Sequence, residues 1–335
     1  MIIPILLLIA GLALLWIGAD FAVEGAKKLA ERFKLSHAFI GLTILSIGTS
    51  LPEICTSITS AIDTLKGVPA SGIGVGVNIG ACIGQITFVV GLVAYASILK
   101  ASKKNLLRDG VIILFSILAL FVMGMNGSIS REEGIILLIM YAAYLFLISM
   151  EEREEHLRRE VLKELKEEDL VELKSRKLRH HPVIVSLIMI GGLAVLAIGS
   201  SLVVKNALRI TDSFHLTQSF VGVLVVGLGG FMPELSTAIK GIVKKSSEIS
   251  LGVLIGSNIT DPLFALGLGA TISGFSFDRN FLMFDLPFWA LSVFVVMFLL
   301  KRNMRIERHE KKQGVVMLGL YFLFILMKVI FFRSA

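Results

Sequence analysis

Apolar stretches of about 20 residues alternate with short polar joints along this chain, and each is long enough to cross the hydrocarbon of a bilayer as a helix. The pattern predicts ten spans, near 2–24, 38–62, 70–99, 108–125, 131–150, 183–205, 218–242, 249–273, 281–300 and 314–332. One polar segment interrupts it. Residues 151–181 carry nearly balanced Glu and Lys/Arg at helical spacing, as in Glu164 to Glu168 around Lys163 and Lys166, and read as a solvated helix between two halves. The organisation expected is a first transmembrane repeat over 1–150, a charged linker over 151–181 and a second repeat over 182–335. The fold class is all-α and polytopic.

Composition supports the membrane reading and changes the meaning of the charge. The chain is 55% hydrophobic with a mean hydropathy of +0.83. A pI near 9.4 would point a soluble protein toward nucleic acid, but here the basic residues sit in the joints and report topology instead. With the N-terminus outside, 26 of the 33 lysines and arginines fall on the inner side, so both termini are expected outside and the 151–181 loop in the cytoplasm. The run Ile2–Ile17 has no basic residue before it and no small-residue cleavage pattern after it. It is expected to be a retained span, which points to a plasma membrane. Cys55 and Cys82 both fall in apolar segments and read as buried small hydrophobes, not as a disulfide or a zinc site. No resident cofactor, nucleic acid or obligate protein partner is expected; the partner is the lipid bilayer.

The two halves align with each other. Phe39-Ile40-Gly41-Leu42 answers Phe220-Val221-Gly222-Val223, and Gly48-Thr49-Ser50-Leu51-Pro52-Glu53 answers Gly229-Gly230-Phe231-Met232-Pro233-Glu234. In the following span, the run from Gly76 to Gln85 answers the run from Gly252 to Asp261. With five spans in each half, the second half enters the membrane from the opposite side, so the repeats are inverted.

This repeat carries the candidate chemistry. A carboxylate in hydrocarbon is costly and marks function, and Glu53 and Glu234 hold matched positions in the two repeats. The proline before each lacks an amide hydrogen and clashes one turn back, so Pro52 releases the carbonyl of Gly48 and Pro233 that of Gly229. A matched pair of broken helices is a pointer to a transport site. Two carboxylates, the carbonyls of Gly48, Gly229 and Gly230, and hydroxyls such as Thr49 and Ser50 make an all-oxygen cage suited to a hard cation such as Ca²⁺. Asp261 adds a third carboxylate, with the neutral Gln85 as its repeat mate; Gln85 and Ser257 could serve as ligands or as polar links between helices. Asp20, Glu24 and Asp285 lie near span ends and are expected to face headgroups or loops.

Enzymes fit poorly. An aspartyl intramembrane hydrolase needs two close aspartates, and a serine hydrolase needs a Gly-x-Ser-x-Gly elbow with a histidine base, whereas the histidines here lie in joints. A channel generally needs a ring of subunits or a continuous filter, and this chain has one enclosed site.

The Gly48–Glu53 run, with Gly256-Ser257-Asn258-Ile259 followed by Asp261, resembles the alpha-repeat signatures of the calcium/cation antiporter superfamily, specifically its sodium/calcium exchangers. The corresponding regions are 38–91 and 218–270. The resemblance implies Ca²⁺ export by alternating access driven by Na⁺ entry. It also implies that Glu53 and Glu234 are shared ligands, that Thr49 and Ser50 add oxygens, and that Gln85 and Asp261 occupy the neighbouring-helix positions. The chain departs from the pattern at Gly230 and Phe231, where threonine and serine are usual, and at Gln85 and Ala81, where asparagine or aspartate and serine are. The missing hydroxyls put sodium coupling in question and make a proton-coupled divalent cation exchanger the alternative.

Overall fold

The computed structural model describes residues 2–32, 46–96, 103–164, 182–243, 247–306 and 311–332, and these are almost wholly helical. That is the outcome lipid demands, because a helix satisfies its own backbone hydrogen bonds. The first half contains α1 (Ile2–Arg32), α2 (Ser46–Thr49), α3 (Leu51–Leu65), α4 (Ser71–Gly84), α5 (Val90–Ala96), α6 (Lys103–Gly124) and α7 (Arg131–Glu164). The second contains α8 (Pro182–Phe214), α9 (Gln218–Val221), α10 (Gly227–Gly230), α11 (Met232–Val243), α12 (Ser247–Thr260), α13 (Leu266–Ser273), α14 (Leu286–Ile306) and α15 (Lys311–Phe331). Among the described residues, nine helices are long and apolar enough to span a membrane. The remaining expected span, 38–62, begins outside the described residues, and α2 and α3 are its described part. Helix α7 continues through 151–164, as the charge spacing of the linker predicts, and 165–181 lie outside the described residues.

Helix α4 is the axis of the packing, with every residue from Ser71 to Gly84 buried. Its glycines explain how. A Cβ on Gly76 would lie 2.8 Å from the Cα of Gly222, and one on Gly80 would lie 2.2 Å from the carbonyl oxygen of Val223. The first repeat's third span therefore crosses the second repeat's broken span backbone against backbone, an approach only small residues permit.

Helices α1 and α8 form a second close pair along Gly11, Gly18, Gly192 and Gly199. A Cβ on Gly192 would meet the Ala22 nitrogen at 2.5 Å, and one on Gly18 the Leu196 nitrogen at 2.8 Å. Leu15, Ala19, Leu196 and Val203 of this pair share an apolar cluster with Ile73 and Val77 of α4, while Ile83, Leu254, Phe281 and Trp289 belong to a larger one. The outward faces carry Leu6, Ile9, Ile190 and Ile198, all exposed, as suits contact with lipid tails.

The joints sort onto two ends. A short ribbon pairs β1 (Ser128–Ile129) antiparallel with β2 (Phe275–Ser276), placing Ser128 opposite Ser276. At the same end the Gln218 side chain donates to the Pro69 carbonyl at 2.5 Å and accepts from the Gly72 amide at 3.1 Å. At the other end Lys104 and Arg108 of α6 both pair with Glu151 of α7, and the Lys311 ammonium sits over the Tyr95 ring. This division matches the sides that the lysine and arginine pattern assigns to these joints.

Candidate functional site: a buried carboxylate cluster at the broken helices

The two broken spans have the same backbone geometry. Helix α2 stops before Ser50 (φ −81°, ψ 5°), and α10 stops before Phe231 (φ −81°, ψ 11°), its repeat mate. The helix resumes after that single residue: the Ile54 amide donates to the Ser50 carbonyl and the Leu235 amide to the Phe231 carbonyl, each at 3.0 Å. Proline is tolerated here because a first-turn nitrogen has no intrahelical partner to lose. Glu53 and Glu234 thus stand in the first turns of α3 and α11, where exposed amides and the helix dipole favour an anion. The neighbouring spans are also matched, with π-helical segments at Gln85–Val89 and Asp261–Ala265 that open on the paired residues Gln85 and Asp261. Such bulges commonly mark functional positions.

Between these elements the side chains converge. Glu53 reaches across to the second repeat, since a Cβ on Gly230 would sit only 2.6 Å from Glu53 Oε1. Ser257 donates from Oγ to Glu234 Oε1 at 3.1 Å, and its hydroxyl lies 3.2 Å from Thr49 Oγ1, joining the first repeat to the second. Asp261 Oδ2 accepts from Gln85 Nε2 at 3.1 Å, with the Cys82 thiol at 3.7 Å. Glu53, Glu234 and Asp261 are all fully buried and close enough for Glu53 to feel the charge of both others.

Several oxygens at this cluster lack hydrogen-bond partners: both of Glu53, Oε2 of Glu234, Oδ1 of Asp261 and Oγ of Ser50. Ser50 lies within electrostatic reach of Asp261 but makes no well-formed bond to it. Buried polar atoms are ordinarily satisfied, and buried charges are paired or bind a metal. Among the described residues no three Asp, Glu, His or Cys side chains already converge as a ready metal centre. A cation here would be enclosed by carboxylates together with hydroxyls, and would draw them inward.

The structure gathers Glu53, Glu234, Thr49, Ser50, Gly230, Asp261, Gln85 and Ser257. Gly48 and Gly229 lie nearby for a reason the sequence did not suggest: both are covered by α1, and a Cβ would meet Val23 at 2.4 Å on Gly48 and Leu12 at 2.2 Å on Gly229. Phe231 has no ligand atom, and its buried ring fills the notch at Gly84, where a Cβ would be 2.1 Å away. Asp285 differs from expectation. It is fully buried, away from headgroups, and bonded to the equally buried Lys328 at 2.5 Å. Asn258, inside the Gly256–Ile259 signature but given no role by it, and Trp289, which no motif flags, also join the polar network through partners across the fold.

The family model described as sodium/calcium exchanger protein matches residues 3–150 and 184–330. The inner membrane protein YrbG of Escherichia coli is 31% identical, covering 82% of this chain and 81% of its own length. The sodium/calcium exchanger MaX1 of Methanosarcina acetivorans is 27% identical, covering 96% and 97%. Among solved structures, the sodium-calcium exchanger NCX_Mj soaked with Na⁺ and Sr²⁺ matches with a TM-score of 0.59 at 28% identity, covering 97% of this chain and 98% of that one.

Proposed function

Because the chain belongs to the sodium/calcium exchanger protein family, we propose that it is a secondary antiporter exporting Ca²⁺ in exchange for Na⁺, by alternating access at Glu53, Glu234 and Asp261. The observation that carries this reading is the set of unpartnered buried oxygens on Glu53, Glu234, Asp261 and Ser50. Three carboxylates in one low-dielectric pocket repel one another, so the site must hold cationic charge or take up protons. A divalent ion neutralises two of them, and monovalent ions or protons must replace it when it leaves. That obligation couples the two fluxes. Thr49 and Ser257, linked across the repeats, supply neutral oxygens of the kind a hard cation takes.

In this reading, 1–150 and 182–335 are inverted repeats around the shared site and 151–181 is their cytoplasmic linker. Both termini face outward in a plasma membrane. Gly48 and Gly229 contribute carbonyls as α1 and α8 shift, and Gln85 supports Asp261. The protein needs no resident cofactor and acts as a transporter, not an enzyme.

A proton-coupled exchanger is the second reading, favoured by Gly230 and Phe231, which place no hydroxyl on the second repeat's side. Proteoliposomes separate the two. ⁴⁵Ca²⁺ uptake should be accelerated by an opposing Na⁺ gradient, and Glu53→Gln should abolish it while leaving the protein monodisperse. Uptake indifferent to Na⁺ but driven by a pH gradient would establish the second reading. Uptake that survives Glu53→Gln would remove the site from both.

A further inference from the structure

Asp261 is the end of a chain of hydrogen bonds that begins outside the repeat motifs. The Trp289 indole nitrogen donates to Asn258 Oδ1 at 3.1 Å, Asn258 Nδ2 donates to Gln85 Oε1 at 2.9 Å, and Gln85 Nε2 donates to Asp261 Oδ2 at 3.1 Å. All four residues are fully buried. The direction of this chain follows from chemistry. An indole N–H can only donate, so the Asn258 atom facing it must be the carbonyl oxygen. The amide nitrogen of Asn258 then faces Gln85, and it also donates to the Leu254 carbonyl at 3.2 Å, an acceptor that admits no other orientation. Gln85 must answer with its oxygen, and its nitrogen is left for Asp261. The indole and the Leu254 carbonyl thereby act together on Asn258, and through it set the polarity of Gln85.

We propose that Trp289 is a positioning residue for the ion site: through Asn258 and Gln85 it presents an N–H to Asp261 Oδ2, fixing the carboxylate and leaving Oδ1 free for the cation. Gln85 then acts through Asp261: its nitrogen, which cannot bind a cation, faces the carboxylate, and its oxygen faces Asn258. The inference deepens the proposed function and rests on Asp261 binding the transported ion. Without the indole donor, Asn258 is held by the Leu254 carbonyl alone; each time it turns over, Gln85 turns its carbonyl toward Asp261, and two acceptors then face each other in a buried site. Trp289 lies in α14, so the relay also ties a span outside the two motif regions to the chemistry.

A double-substitution cycle tests the relay. Trp289→Phe and Gln85→Met should each raise the KM for ⁴⁵Ca²⁺ in proteoliposomes by about tenfold, the scale of one charge-assisted hydrogen bond. The double variant should be no worse than either single one. Effects that multiply would mean that Trp289 acts by packing alone and would overturn the relay. A second measurement is independent of transport. The chain has two tryptophans, the exposed Trp16 and the buried Trp289, so ¹⁵N-indole labelling gives two resonances. Gln85→Met should move the Trp289 signal and leave that of Trp16 in place. An unmoved Trp289 signal would refute the relay even if Trp289→Phe failed to fold. Lack of Ca²⁺ flux in the unsubstituted protein would instead sink the proposed function and leave the relay to be decided by the resonance.

Discussion

At Gly230 the loss of a side chain and the placement of a carboxylate are one fact. Glu53 Oε1 occupies the space a Cβ would need, with 2.6 Å between them. The family's usual threonine therefore cannot be restored without moving the glutamate. Gly230→Ala and Gly230→Thr should both lower the apparent Ca²⁺ affinity at least about tenfold, a loss of ~1.4 kcal/mol of binding, measured as KM in ⁴⁵Ca²⁺ uptake. A threonine variant that keeps its Ca²⁺ affinity and gains Na⁺ affinity would show that the hydroxyl is simply missing. Phe231 follows the same logic one residue on. Its ring lies 6.3 Å from that of Phe88 and 6.1 Å from that of Tyr321, so the position usually held by a serine here anchors an aromatic cluster.

At the scale of helices, what could be read from the chain was whatever leaves a mark in local sequence. Proline before glutamate forecasts a broken span, and both breaks lie where Pro52 and Pro233 put them. Side-chain pairs between distant helices leave no such mark, because they depend on how each helix is rotated about its axis. Asp285 looked like a span-end acid for that reason, and nothing in the sequence tied it to Lys328. They form a buried pair joining the start of the α14 span to α15, and the ammonium lies 5.9 Å from the centre of the Phe284 ring. Lys328→Met leaves Asp285 unpaired and should cost about 3–5 kcal/mol, while Asp285→Leu with Lys328→Met should recover most of the loss. Thermal unfolding in detergent measures both; equal damage in the single and double variants would count against pairing as the cause. The α1–α8 seam offers a sharper contrast. A Cβ on Gly192 would strike Ala22 and Gly18 backbone at 2.5 and 2.8 Å, whereas one on Gly191 meets nothing within 4 Å. Gly192→Ala should destabilise by about 1–3 kcal/mol, and Gly191→Ala should be neutral or gain up to about 1 kcal/mol in helix propensity.

For the whole molecule, the charge pattern and the packing reach the same two-sided arrangement independently. The count of lysines and arginines assigns sides one joint at a time, knowing nothing of contacts. The fold then brings together joints of one assignment, through the Ser128–Ser276 pairing and the Gln218–Pro69 bond, and at the far end joins α6 to α7 through Glu151. Packing fixes which joints share a side, and only charge says which side is outside. That difference decides which compartment each end of the two broken spans faces, because the packing alone is equally compatible with both orientations. Met125, 67% exposed at the ribbon end, and Lys104, with 69% of its side chain exposed at the other, are suited to decide it. In intact cells, Met125→Cys should react with an impermeant maleimide, and Lys104→Cys should react only after permeabilisation, with unsubstituted protein giving the background of Cys55 and Cys82. The opposite labelling would place the charged 151–181 segment outside. It would leave the carboxylate cluster, its unpartnered oxygens and the Trp289 relay unchanged, and the direction of ion movement too, since the gradients across the membrane set that whichever way an exchanger sits.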